Sequence, residues 1–228
     1  MAVTETLQQS IDRVYDAFAG YPAPRPSICD QCAPGLTADE FDAIGLRSLS
    51  FSHLGGVHVM SLDDDALRFY VPRLAELLLR TPAAVFDFRP GELKQRMVGW
   101  PAAERGAIRQ LAQAVWAELP SSYPADLGYF SDCPSAVDFL DWCELPLKPA
   151  LSELVAAGGE AAARHVADLV DAVFTRRDPF ETASATAVLE SVRESAVGDC
   201  LQEAFFATNS AEVAQHLSAA HELWSVCR

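Results

Sequence analysis

An all-α, single-domain multi-helix bundle is the fold class this sequence predicts, with at most one minor short strand. Three observations predict it. Apolar residues recur every three to four positions from end to end, prolines and capping residues interrupt the recurrence about once per helix length, and no segment sustains the apolar–polar alternation of a half-buried strand. Half of the 228 residues are apolar, enough to bury a substantial core.

The elements follow in order. Leu7, Ile11, Val14, Tyr15 and Phe18 make one helical stripe, with Asp12 and Asp16 off it. Gly20 and the prolines at 22, 24 and 26 end that helix and leave a proline-stiffened loop from Tyr21 to Gly35. Thr37-Ala-Asp-Glu40 reads as a capping box, and Ser61-Leu-Asp-Asp64 resembles a second helix start. The helix after it runs toward Arg80, kinked or restarted at Pro72. Ala84 to Phe88 is the one weak strand candidate. Trp100-Pro101 opens a helix striped by Ile108, Leu111, Ala112, Val115, Trp116 and Leu119 and stopped by Pro120. A loop from Ser121 to Pro134 is a soft seam, and Ser135-Ala-Val-Asp138 starts the next helix, interrupted near Pro146 and Pro149. Val166, Leu169, Val170, Val173 and Phe174 form another stripe. Asp178-Pro-Phe-Glu181 combines an N-cap, a first-turn proline and a capping acid, so a helix is expected to begin there and to break at Gly198. Val213, Leu217, Ala220, Trp224 and Cys227 stripe the last helix.

Charge and composition exclude several classes. A net charge of −15 argues against binding nucleic-acid phosphates, which needs a cationic footprint. No stretch has the apolar length of a membrane span, and Met1-Ala-Val-Thr-Glu-Thr shows no secretion signal, so a cytoplasmic setting is expected. Six scattered cysteines in a chain this long read as thiols rather than a disulfide scaffold. The charge is uneven: eight basic residues against four acids between Arg68 and Arg109 leave −19 for the rest. That stretch is expected to pair with the protein's own acids, the alternative being a docking surface.

Cys29-Asp-Gln-Cys32 is the sharpest local feature. Two thiolates so spaced on a turn can chelate one tetrahedral metal, and His53 and His58 would complete C-x2-C-x20-H-x4-H, a zinc site with a long central gap. A redox pair is the second reading, without the βαβ context in which such pairs sit, and the third is two loop cysteines with no ligand at all. No cofactor is expected, zinc being the one alternative this spacing offers. His165, His216 and His221 lie at stripe margins, where a hydrogen bond at the rim of the core is the usual role. Gly55-Gly56 and Gly158-Gly159 read as turns, the acids at 63 to 65 as a helix start, and the four tryptophans as core. Metalloprotease, nucleophile-elbow and phosphate-loop motifs are all missing, so no catalytic residue is assigned.

Pro26-Ser-Ile-Cys29-Asp-Gln-Cys32, Leu46-Arg-Ser-Leu49 and Leu67-Arg-Phe-Tyr-Val-Pro-Arg73 carry a resemblance, as does Trp100 to Trp116 with Ala102-Ala-Glu-Arg105 between. Over roughly residues 8 to 119 the chain resembles a family of uncharacterised small helical bacterial proteins with a proline-flanked cysteine pair near the N-terminus. The resemblance implies a helical fold and a cytoplasmic setting. It supplies no catalytic residue, and it extends to the cysteine pair but not to His53 or His58.

Two functions are expected from this reading. The first is a non-enzymatic interaction protein, an adaptor or an immunity-type binder whose negative potential steers a basic protein partner to it. The alternative is a zinc- or thiol-dependent protein centred on Cys29 and Cys32.

Overall fold

The computed structural model describes residues 5–25, 27–81 and 88–228, and these are all-α, with no strand among them. Ala84 to Asp87 of the strand candidate lie outside the described residues, and Phe88 is irregular. The chain divides into two compact units, Met1–Leu111 and Ala112–Arg228, so the division falls inside a helix and the Ser121–Pro134 loop lies within the second unit.

In the first unit, α1 (Glu5–Ala17) packs its apolar stripe on α4 (Asp64–Arg80). Between them in sequence come α2 (Ala38–Asp42) and α3 (Phe51–Gly56), and after them α5 (Pro90–Met97) and the start of α6 (Ala102–Glu118). The Thr37–Glu40 capping box forms as read, and Asp63 caps α4 through the Ala66 amide. α4 does not restart at Pro72: it is one helix with the proline inside it. Buried Tyr70, Val71, Leu74 and Leu78 flank that residue, and their packing outweighs the roughly 3 kcal/mol an interior proline costs.

Glu76, buried on α4, collects the basic charge around it. It accepts from the Tyr15 hydroxyl at 2.8 Å, from Arg73 at 2.7 Å and from Arg80 at 3.0 Å. Burial and that hydrogen bond push the Tyr15 phenol far above its ordinary range. Arg68 pairs with Asp64, Asp65 and Glu104, and Arg96 with Asp64 and Glu92. Arg68, Arg73, Arg80, Arg89 and Arg96 of the basic stretch are thus engaged by acids of their own unit.

The second unit holds α7 (Cys133–Trp142), α8 (Leu147–Ala157), α9 (Gly159–Thr175), α10 (Ala185–Val192), α11 (Ser195–Ala207) and α12 (Ala211–Cys227). α9 is its centre, packed by each of the other five. Ala162, Ala163, Ala167 and Ala172 are buried on it, and such small side chains let several neighbours approach one axis. Helix α7 begins at Cys133 under an Asp132 cap, slightly before the expected Ser135. Gly158 and Gly159 join α8 to α9 with positive φ, as turn residues do.

Two expectations are corrected here. Asp178-Pro-Phe-Glu181 starts no helix; α10 begins at Ala185, capped by Ser184. The Glu181, Thr182 and Ala183 amides donate instead to the buried Asp138 carboxylate at 2.8, 2.9 and 2.8 Å. Three charge-assisted bonds outcompete a local cap. Gly198 breaks nothing and sits inside α11, where a Cβ would lie 2.3 Å from the Trp224 ring. Glycine there makes room for an indole whose Nε1 donates to the Val192 carbonyl at 2.8 Å.

Candidate metal centre

The centre is built from two short segments of the first unit. From Cys29 the chain makes one helical turn, with the Cys32 and Ala33 amides donating to the Cys29 carbonyl at 3.1 and 2.9 Å. This turn is docked: the Cys29 amide donates to the Gly56 carbonyl at 2.8 Å, and a Cβ at Gly56 would lie 2.6 Å from that of Ala33. Only a glycine allows so close an approach. The cysteine turn therefore lies against the end of α3.

The second segment leaves α3 through Val57 and turns at His58, whose φ of 48° and ψ of 53° place a non-glycine residue in the left-handed region. A side chain there costs about 1–2 kcal/mol. Buried Val57, Val59 and Met60 on both sides hold the turn in place. The result aims the imidazole at the cysteines. Cys32 Sγ and His58 Nε2 are 4.0 Å apart, and the ligand atoms of Cys29, Cys32 and His58 all lie within 4.8 Å of one another. No fourth Cys, His, Asp or Glu joins the group among the described residues.

The thiols of this turn are inequivalent. The Cys32 amide, His58, the Cys32 thiol and the Gln31 amide together draw the Cys29 thiol down to about 7. Cys32 moves up, chiefly through its hydrogen bond with Cys29. Cys29 is half-buried, and Cys32 and His58 are exposed. None of the six cysteines forms a disulfide among the described residues.

His53, the fourth ligand candidate of the sequence, is placed elsewhere. Its Nδ1 accepts the Ser50 amide at 3.0 Å while its own amide donates to the Ser50 hydroxyl, a capping box that opens α3. Its ring packs edge-on against Phe41.

A second polar cluster lies in the other unit and was only half visible in the sequence. Asp168 accepts the Tyr123 hydroxyl at 2.7 Å and faces His216 Nε2 at 3.1 Å. His165 is fully buried, not at the rim, with Nε2 against the Ser122 carbonyl at 2.9 Å. The i, i+3 spacing of His165 and Asp168 was the available signal. Burial and Asp168 push the Tyr123 phenol up to about 12, and burial lowers His165, so both stay neutral near pH 7. Such groups bind the Ser122–Tyr123 loop to α9 and are poorly suited to nucleophilic chemistry. The four tryptophans are core, as read. No described helix is long and apolar enough to cross a membrane.

Compared with known proteins, the chain matches no family model, no curated protein and no solved structure.

Proposed function

We propose that this is a zinc-binding protein in which Cys29, Cys32 and His58 supply three ligands and an external donor takes the fourth. The observation that carries the reading is the convergence of two thiols and an imidazole from separate segments within 4.8 Å. Two thiolates and a neutral imidazole cancel the charge of a divalent ion and match its preference for sulfur and nitrogen. Tetrahedral zinc with ordinary bond lengths sets S···N at about 3.6 Å. The 4.0 Å between Cys32 and His58 is a few tenths of an ångström from that. Three protein ligands with an open position characterise sites that bind water or a substrate atom, whereas closed structural sites have four.

Cobalt titration tests the assignment. One equivalent of Co²⁺ should give thiolate charge-transfer absorption together with tetrahedral d–d bands. Cys29→Ser, Cys32→Ser and His58→Ala should each weaken binding at least about a hundredfold, more than loss of a residue that merely orients a ligand. His53→Ala should leave the stoichiometry intact. Binding retained in both cysteine variants, or none at micromolar free metal, would refute the site.

A second reading, an adaptor or immunity-type protein for a basic protein partner, is favoured by the charge of residues 112–228. Six Lys and Arg stand there against eighteen Asp and Glu, a net of −12. Capture from native cytosol at low ionic strength should give a basic protein released by salt; a capture that salt leaves unchanged would count against electrostatic steering.

A further inference from the structure

We infer that the second unit binds an elongated organic amine in a cleft between α8 and α11. The cleft has a volume of about 740 Å³, within the range of small-molecule sites. Val166 and Leu169 of α9 form its floor, Leu151 and Val155 of α8 one wall, and Val197 and Ala204 of α11 the other. Lining positions on α11 run from Ala196 to Ala207 at helical spacing, so the cleft follows that helix for roughly 16 Å at 1.5 Å per residue. That shape suits an extended apolar chain.

The rim specifies the charge. Glu160, Glu194, Asp199 and Glu203 border the cleft, and no lysine or arginine lines it among the described residues. Two of the four are already engaged, Glu194 by Lys148 at 2.8 Å and Glu160 by the Thr208 hydroxyl at 2.8 Å. Asp199 and Glu203 lie one turn apart on the α11 wall and are exposed, with no cation paired to either among the described residues. Like charges at this spacing repel each other. An ammonium group between them removes that repulsion, and its apolar body fills the groove below.

Ser191 is an independent pointer to a ligand. It lines the cleft at 7 % exposure, and its buried hydroxyl has no hydrogen-bond partner among the described residues. Buried polar groups are satisfied in the great majority of cases, so a hydroxyl without one beside a cleft suits a ligand with a polar group. The inference does not depend on the zinc reading, whose residues all lie in the other unit.

Calorimetric titration with decylammonium, decanol and decanoate, all below their aggregation concentrations, separates chain from charge. Decylammonium should bind one equivalent, at least tenfold tighter than decanol, with decanoate weaker still. The Asp199→Asn/Glu203→Gln double variant should bring decylammonium to the level of decanol. Ala196→Phe, at an exposed wall position, should weaken both while the circular-dichroism spectrum stays helical. Equal affinity for amine and alcohol, an unaffected double variant, or no saturable binding would overturn the proposal. So would tight binding of a cationic amphipathic peptide without binding of decylammonium, which would make the cleft a peptide groove.

Discussion

Zinc at about a hundredfold excess over its dissociation constant is expected to raise the thermal unfolding midpoint by roughly 5–10 °C. In the proposed site the ion would bind the folded chain, where Cys29, Cys32 and His58 converge, and would have no equivalent site once the two segments separate. Calorimetry with and without a chelator measures the shift, and Cys32→Ser should abolish it. The sign of the pH dependence follows from the thiols. Both must be deprotonated to bind metal, so protons compete with zinc. Above the Cys29 value of about 7, one thiol proton, that of Cys32, has to leave; below it, two do. The zinc-induced shift should therefore shrink as pH falls and shrink more steeply below about 7. A shift independent of pH, or one persisting in Cys32→Ser, would place the metal elsewhere.

Asp138→Ala is expected to destabilise the protein by about 3–5 kcal/mol, among the largest losses for any single side chain here. Its carboxylate receives three consecutive amides and the Thr182 hydroxyl, at 6 % exposure. Alanine leaves those donors without an acceptor and a void beside them. Asp138→Asn should cost about half as much, because one oxygen can still accept while the new amide group opposes a backbone N–H. Urea unfolding followed by circular dichroism checks both. A loss under about 1 kcal/mol for alanine would mean that water replaces the carboxylate and that residues 181–183 are not anchored through it.

What could be read from the chain depended on how far apart the deciding groups lie. The Thr37–Glu40 box and the Gly158–Gly159 turn were legible because every participant is within a few residues. The stripes were legible because burial has the period of the helix. The features that were misread are set at a distance. Asp178-Pro-Phe-Glu181 carries every local mark of a helix start, yet an acceptor some forty residues upstream takes its amides. Gly198 looks like a breaker until the Trp224 ring is seen in its place. At the candidate metal centre, Cys29 and Cys32 announce themselves by spacing, whereas His53 and His58 are equally plausible partners on paper. What separates them is that Ser50 engages one and a left-handed turn aims the other, and neither depends on apolar pattern.

The left-handed backbone at 58 has a bearing on how this protein can be altered. His58→Gly would relax the turn and at the same time delete an imidazole, so a search for thermal robustness carried out in metal-free buffer would favour glycine there. With the proposed zinc site, the same search run with zinc present would favour histidine. Position 58 is thus where gains in rigidity and retention of a ligand pull in opposite directions, and the composition of the medium decides which residue survives.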